Sequence, residues 1–420
     1  MKILPWLLFM TTWMCVCKAY SNDLIVEEIS FPEATKLSDN TLRMPFKFAG
    51  RLSQILQNYQ CSIVEHSEVK ETWDAQGQKV KAILSAAFEQ KIGGLKAVVE
   101  MVKKRGAKSI VIVEEAAEAF RVERSMNGAL LRVSMPVVAD DMAQSFIFAL
   151  VASFITDGDS TIAADPVSVD LLKLGDRVAK AQVNVFVNGP TGSGKEVLAQ
   201  YIHKKSSRAE KPFVAINCAA IPENMLEALL FGHKKGAFTG ASTSSDGIFQ
   251  AADGGTLLLD EVSEMSMPLQ AKLLRVLQER SVVPLGASAP IPVDVRTLAT
   301  SNRNIPMEIR RGRFREDLYF RLNVFPLATK SLNERSQDII PIAAELLVRH
   351  QSDLENFPTI SGSALQRLLE YSWPGNVREL ENVIQRATVL RNSNIIEFED
   401  IMIDTPSPEY HLDEPLVSHV

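Results

Sequence analysis

The residues best suited to chemistry form the run Gly189-Pro190-Thr191-Gly192-Ser193-Gly194-Lys195-Glu196. Its glycines let the backbone turn tightly, so that N–H groups converge on an anion. A helix starting after the loop adds partial positive charge. Lys195 is positioned to reach the outer phosphates of a nucleoside triphosphate. Glu196 stands where Ser or Thr usually touches the magnesium, which by itself argues against metal ligation from the loop. A second group, Asp260-Glu261, ends the run Gly254-Gly255-Thr-Leu-Leu-Leu. An apolar run closing in two carboxylates is often only a solvated strand end, and here the upstream loop gives it meaning. Asp260 is suited to hold Mg²⁺, directly or through water, and Glu261 to polarise a water against the terminal phosphate. The chemistry expected is hydrolysis of ATP, with GTP the less favoured substrate.

The elements that must position these groups are legible around them. Val183 to Val187, broken only by Asn184, reads as a strand entering the loop, and Val197, Leu198 and Ile202 mark the buried face of a helix leaving it. Further strands are expected at Phe213 to Ile216, Thr256 to Leu259 and Val293 to Ala299. Leu269, Leu273, Leu274 and Leu277 form one apolar stripe at helical spacing, a core face and not a cofactor box. In parallel sheets ligands bind at the carboxyl ends of the strands, where both groups fall. The fold class expected is α/β: a P-loop NTPase core over 167–330, then an all-helical lid over 331–400. The lid helices are Ile339 to His350, Ser363 to Tyr371 and Asn376 to Asn392.

The chain has 420 residues, 46% hydrophobic, enough for two or three domains. A net charge of -6 argues against a broad nucleic-acid-binding surface. Cys15, Cys17, Cys61 and Cys218 have neither metal-ligand spacing nor a disulfide pattern, so a reducing, cytoplasmic setting is expected. The six histidines show no ligand pattern either. One signal conflicts. Residues 1–22 carry Lys2 and then an apolar run, Ile3 to Cys17, that resembles a secretory leader. It is too short for a comfortable membrane span. We read it as an extension or a mis-called start, with Met44 an alternative, and expect no membrane.

Residues 24–155 read as a small α/β regulatory domain. Cys61 to Val64, Ser109 to Val113 and Leu130 to Val138 are strand-like; Glu100 to Lys104 and Glu114 to Val122 look helical. A phosphate-receiving domain would need an acidic cluster and a partner lysine at strand ends, which this pattern does not supply. Residues 156–166 read as a linker, and 401–420 as a disordered acidic tail.

On these and further motifs the chain resembles the AAA+ activators of bacterial sigma-54 RNA polymerase. The signature loop of that family is matched by Gly236-Ala237-Phe238-Thr239-Gly240-Ala241, preceded by Phe231-Gly-His-Lys-Lys. Pro212 to Ala220, Leu273 to Glu279, Phe314 to Tyr319, Arg321 to Phe325 and Trp373 to Leu380 also match. The resemblance covers about 165 to 400. It implies an ATP- and Mg²⁺-dependent ring, expected to be a homo- or hetero-hexamer, that remodels sigma-54 holoenzyme. It implies that the loop engages sigma-54. An exposed Phe238 among small residues suits such an anchor. It further implies that Asn217 is a switch holding Glu261 from water, and that Ser301 and Asn302 are sensors. Arg315 and Arg321 are then fingers reaching a neighbouring subunit, and Arg378 a second sensor in the lid. The family commonly carries an acidic residue at position 196.

Departures bear on how active the chain is. The usual Glu before Leu-Phe-Gly is Leu229, the proline-rich segment reads Ala328-Thr-Lys-Ser-Leu332, and Asn333 replaces an Arg. No basic recognition helix follows Asp400, so direct DNA contact is not expected. A weakly catalytic or non-catalytic partner of a DNA-binding relative is the alternative. Gly-Pro-Thr-Gly in the loop and Met225-Leu-Glu-Ala before Leu229 are similar to flagellar-gene activators.

Overall fold

A computed structural model describes residues 14–18, 22–27, 48–59, 62–65, 79–104, 109–157, 160–238 and 242–403. In chain order the first sheet is built from β1 (Met14–Lys18), β2 (Asn22–Glu27), β3 (Ser62–Glu65), β4 (Lys79–Ser85), β5 (Ser109–Ala117), β6 (Arg121–Ser125) and β7 (Leu130–Pro136). Its helices are α1 (Phe48–Asn58), α2 (Ala86–Lys91), α3 (Leu95–Lys104) and α4 (Asp141–Ile155). Strand order is β3-β1-β2-β4-β5-β7-β6, with β2, β4, β5 and β7 parallel. Residues 14–18 fall in the stretch read as leader-like, yet they pair antiparallel with β2 and β3. The stretch Glu114 to Val122, read as helical from its Glu and Ala content, is not a helix. β5 continues to Ala117 past an irregularity at Glu115/Ala117, and β6 begins at Arg121. Pairing of both with β7 overrides the local helix preference.

The second sheet carries the loop. Its elements, with the helices between them, are α5 (Pro166–Lys180), β8 (Val185–Asn188), α6 (Lys195–Lys204), β9 (Phe213–Asn217), α7 (Glu223–Phe231), α8 (Ile248–Ala251), β10 (Thr256–Asp260) and α9 (Met267–Glu279). A short ribbon of β11 (Ser281–Val282) and β12 (Ile291–Pro292) precedes β13 (Arg296–Ser301), α10 (Ile305–Arg310), α11 (Glu316–Leu322) and β14 (Phe325–Ala328). The order β14-β8-β13-β10-β9 is parallel throughout. Buried on both faces, these strands are near-continuous apolar runs, such as Leu257, Leu258 and Leu259. Arg296 is buried at the base of β13. It donates to the carbonyls of Val178 and Ala179 in the last turn of α5 and of Val183 just before β8. Burial, helped by Arg208, brings its pKa down to about 10, so it stays charged at neutral pH.

The lid comprises α12 (Ile339–His350), β15 (Thr359–Ile360), α13 (Gly362–Glu370), α14 (Asn376–Leu390) and β16 (Ile395–Ile396). It is not independent of the N-terminal domain. Helix α4 is capped by Asp140, which accepts from Met142 and Ala143, and every residue from Phe146 to Ile155 is buried. A helix apolar all round needs partners on all sides. One side meets the first sheet and α1, and another meets α12, in a single apolar core that also takes in Leu365, Trp373 and Ile384. Phe154 stands edge-on to Phe357 of the lid at 4.8 Å and lies 6.2 Å from Phe120. The Tyr59 hydroxyl contacts the carbonyls of both Ala149 and Pro341. The linker is likewise pinned. The fully buried Asp338 accepts from Ala164 N and Asp165 N at 2.7 and 2.8 Å and from the Ser168 hydroxyl. Among the described residues no helix is long and apolar enough to cross a membrane. The segment 404–420, expected as a tail, lies outside the described residues.

Candidate nucleotide site

The phosphate-binding loop lies between β8 and α6. Gly192 and Gly194 have φ of 73° and 94°, a region that strains residues with a Cβ. A Cβ on Gly192 would run into the Gly375 carbonyl, and one on Gly189 into the Thr329 hydroxyl. Lys195 is only 6% exposed. Its Nζ lies 3.1 Å from Gly189 O, 3.2 Å from Pro190 O and 3.3 Å from Glu261 Oε1. The loop is held from three sides. Asn302 Nδ2 donates to Thr191 Oγ1 at 3.0 Å, the Thr329 and Ser193 hydroxyls meet at 2.7 Å, and Arg335 Nη2 donates to Ser193 O at 2.7 Å. The lid closes on it through Asn376 Nδ2 to Thr191 O and Val377 N to Gly192 O.

Asp260 and Glu261 end β10 beside this loop. Glu261 adopts φ 52°, a left-handed conformation that costs about 1–3 kcal/mol and is held by its surroundings. Its Oε2 accepts from Asn302 N at 3.0 Å, and its own N–H donates to Thr300 Oγ1. Asp260 accepts from Thr300 Oγ1 at 2.5 Å and from Asn217 Nδ2 at 2.8 Å. The switch expected between Asn217 and Glu261 is thus not formed here: the Asn217 amide is committed to Asp260, and its oxygen to Ala219 N and Ala220 N. Ser301 is also turned away. It is fully buried, with its hydroxyl on Ser263 and Arg303 N. Successive strand residues face opposite sides, so Thr300 and Asn302 share the loop-facing side that Ser301 leaves. That alternation was the available signal for Thr300. For Asn376, Thr329 and Arg335, which lie far along the chain, no such signal existed.

The remaining sequence candidates are dispersed. Glu196 is exposed and accepts from Gln200 along α6. Arg378 is exposed on the lid, its Cβ packed where a Gly192 Cβ would point. Arg315 pairs with Asp317, and Arg321 donates to Leu277 O; neither contacts the phosphate loop of its own chain. Phe238 is 45% exposed with its ring edge-on to His233 at 5.0 Å, on a projection anchored where His233 and Ser245 pair. Gly236 and Ala237 lead up to it; Thr239, Gly240 and Ala241 lie outside the described residues. Cys218, next to the carboxylates, is a buried thiol pushed up to about 12 by burial and by Asp260 and Glu261, so it has no nucleophilic role.

A cleft of about 140 Å³ opens beside Ser193 and Gly194. Its walls are α5, α6, α12 and residues 160–162, and it is mostly apolar, with Arg335 at the loop end. Among the described residues no three metal-ligating side chains converge. Asp260 and Glu261 still suit Mg²⁺, which commonly takes one or two carboxylates and completes its shell with phosphates and water.

Known protein families match both the sheet that carries the loop and the lid. Residues 161–328 match the family described as Sigma-54 interaction domain, and 333–409 match the AAA+ ATPase lid domain. The response regulator protein FleR of Pseudomonas aeruginosa is 54% identical over 252 residues, 60% of this chain and 53% of that protein. The transcriptional regulatory protein FlbD of Caulobacter vibrioides is 48% identical over 253 residues, 60% and 55% of the two chains. GlrR, a transcriptional regulatory protein of Escherichia coli, is 42% identical over 328 residues, 76% of this chain and 73% of that one. The chain thus spans about half the length of the FleR and FlbD proteins it matches. The crystal structure of NtrX from Brucella abortus in complex with ADP superposes with a TM-score of 0.55, at 26% identity over 79% of this chain and 77% of that one.

Proposed function

Because the chain belongs to the AAA+ sigma-54-dependent transcriptional activators, we propose that it is an ATPase that remodels sigma-54 RNA polymerase holoenzyme to start transcription. The observation that carries this is Glu261, strained at the end of β10 and facing Lys195 and Asn302 across the phosphate loop. In the reaction Glu261 orients a water and takes its proton as the oxygen bonds to the terminal phosphorus and the bond to ADP breaks. Lys195 and the loop N–H groups hold the phosphates, and Asn302 holds both Glu261 and Thr191. Asp260 would hold Mg²⁺, which neutralises phosphate charge when bound. Arg315 and Arg321, idle toward their own site, serve the site of a neighbour in a ring, a hexamer by kinship. The projection bearing Phe238 contacts sigma-54. It works in the cytoplasm, where ATP and polymerase are, and flagellar genes are the target class that the sequence around Gly189 and Met225 favours.

The test is open-complex formation by purified sigma-54 holoenzyme on a promoter lacking enhancer sites, with this chain and ATP. Opening should require hydrolysable ATP and disappear in Thr239→Ala while ATPase activity remains. No opening by the chain alone, but altered opening once a DNA-binding relative is added, would make it a regulatory partner instead.

A further inference from the structure

A second pocket, of about 180 Å³, opens at the amino ends of β8 and β13, the end of the sheet opposite the phosphate loop. It is smaller than the roughly 300–1,000 Å³ of sites for drug-sized ligands, and its lining is mostly polar. Arg208, Arg280, Arg296 and Arg321 line it, and among the described lining residues Asp294 is the only carboxylate. Asp294 is spent on Arg208, whose Nη2 donates to both its oxygens at 3.0 Å. Among the described residues no carboxylate pairs with Arg280, Arg296 or Arg321. Arg280 is exposed at the end of α9, and Arg321 spends only Nε and Nη2, both on Leu277 O. One lining hydroxyl is also unspent. Thr297 is 1% exposed, and its Oγ1 is buried without a hydrogen-bond partner. On β13 it shares a face with Ala299, the face packed against α9 and α11. A buried hydroxyl left in that state costs free energy until something accepts from it.

We propose that this pocket is an oxyanion site that takes one free phosphate-type dianion, held by the Thr297 hydroxyl and the Arg280 and Arg321 guanidinium groups. A planar guanidinium matches two oxygens of such an ion at once, and the hydroxyl donates to a third. Burial and then the nearby Arg208 charge lower the pKa of Arg296, so an anion at this end of the sheet also relieves the crowding of positive charge. The site is separate from the phosphate loop, and it stands whether or not Arg321 also reaches a neighbour.

The experiment is calorimetric titration of inorganic phosphate into the full chain carrying Lys195→Ala, which weakens phosphate binding at the loop. Chloride holds the ionic strength constant. One phosphate should bind per chain with a Kd on the order of 1 mM. Sulfate should compete for the site, and chloride should not. Arg280→Asn tolerates the φ of 50° at that position, and it and Arg321→Gln should each weaken phosphate about three- to tenfold. Thr297→Val keeps the shape and removes the hydroxyl. It should weaken phosphate by a similar factor without lowering the urea midpoint, because the hydroxyl has no partner within the protein to lose. Full affinity in all three variants places the ion elsewhere and overturns the site. Absence of saturable binding, or displacement by chloride alone, overturns it as well. A Thr297→Val chain that binds phosphate normally and unfolds at lower urea overturns the role of the hydroxyl as a ligand.

Discussion

Phe154→Ala is the sharpest test of the union between N-terminal domain and lid. The ring is 1% exposed and stands between Phe120 and Phe357, 6.2 and 4.8 Å from them. Truncating a buried Phe costs about 3–5 kcal/mol, of which an edge-on aromatic pair accounts for about 0.5–1.5. The site collapses poorly, because the first sheet and the lid both frame it, so about 4 kcal/mol is the central expectation. With a urea dependence of about 2–3 kcal/mol per molar, the midpoint falls by roughly 1.5–2 M. The reporter is Trp373, fully buried in the lid, followed by fluorescence with Trp6, Trp13 and Trp73 replaced by Phe. A substitution in α4 should therefore be read by a tryptophan more than 200 positions away in sequence. If the Trp373 transition stays within about 0.5 M of the parent while the N-terminal domain unfolds earlier, the shared core is not an energetic unit.

Other expectations concern the site. Lys195→Ala should abolish nucleotide binding or turnover, and normal turnover would remove the phosphate-loop assignment. Glu261→Gln should bind ATP without hydrolysing it, seen as nucleotide retention with no phosphate release; full hydrolysis would refute its role as base. Thr300→Val strips Asp260 of a 2.5 Å donor and Glu261 N of its acceptor, and should lower kcat about ten- to a hundredfold with KM for ATP little changed. Stability should also depend on Glu115, whose carboxyl burial pushes up to about 7 and whose Oε1 is buried without a hydrogen-bond partner. A raised carboxyl pKa favours the neutral form in the folded state, so stability is greatest below about pH 4.5 and falls as pH rises toward 7. Partial exposure limits the loss to on the order of 1–2 kcal/mol. Glu115→Gln should remove that share of the pH dependence in urea titrations at pH 5.5 and 8; identical slopes would contradict it.

What the sequence made legible followed from local rules. The loop glycines, Lys195 and the β10 carboxylates sit within single motifs whose backbone demands are short-range. The helix over Ile339 to His350 was readable because its apolar spacing is regular and uninterrupted. Misreadings arose where pairing or distance decides. Glu114 to Val122 has helix-forming residues but a strand partner, β7, that no local pattern announces. Asn217 was assigned to Glu261 by kinship, and its amide donates to Asp260, the neighbouring residue. Asn376, Thr329 and Arg335 converge on the loop from remote positions, and only the closure of the lid brings them there. Thr329 is one of the departures from the family pattern, yet its hydroxyl supports Ser193.

Helix α4 also sets a problem of timing. It is finished at Ile155, but α12, which covers one of its sides, begins at Ile339. Ribosomes add roughly 5–20 residues per second, so the completed helix waits on the order of ten to forty seconds for its cover. During that interval the nascent chain carries Phe146, Phe148, Leu150 and Phe154 with one flank of their native packing missing, and the whole ATPase sheet is made in the meantime. Newborn chains are therefore most vulnerable to aggregation and most dependent on chaperones after the second sheet has formed and before the lid emerges, and slowing translation across residues 156–338 should lower the soluble yield.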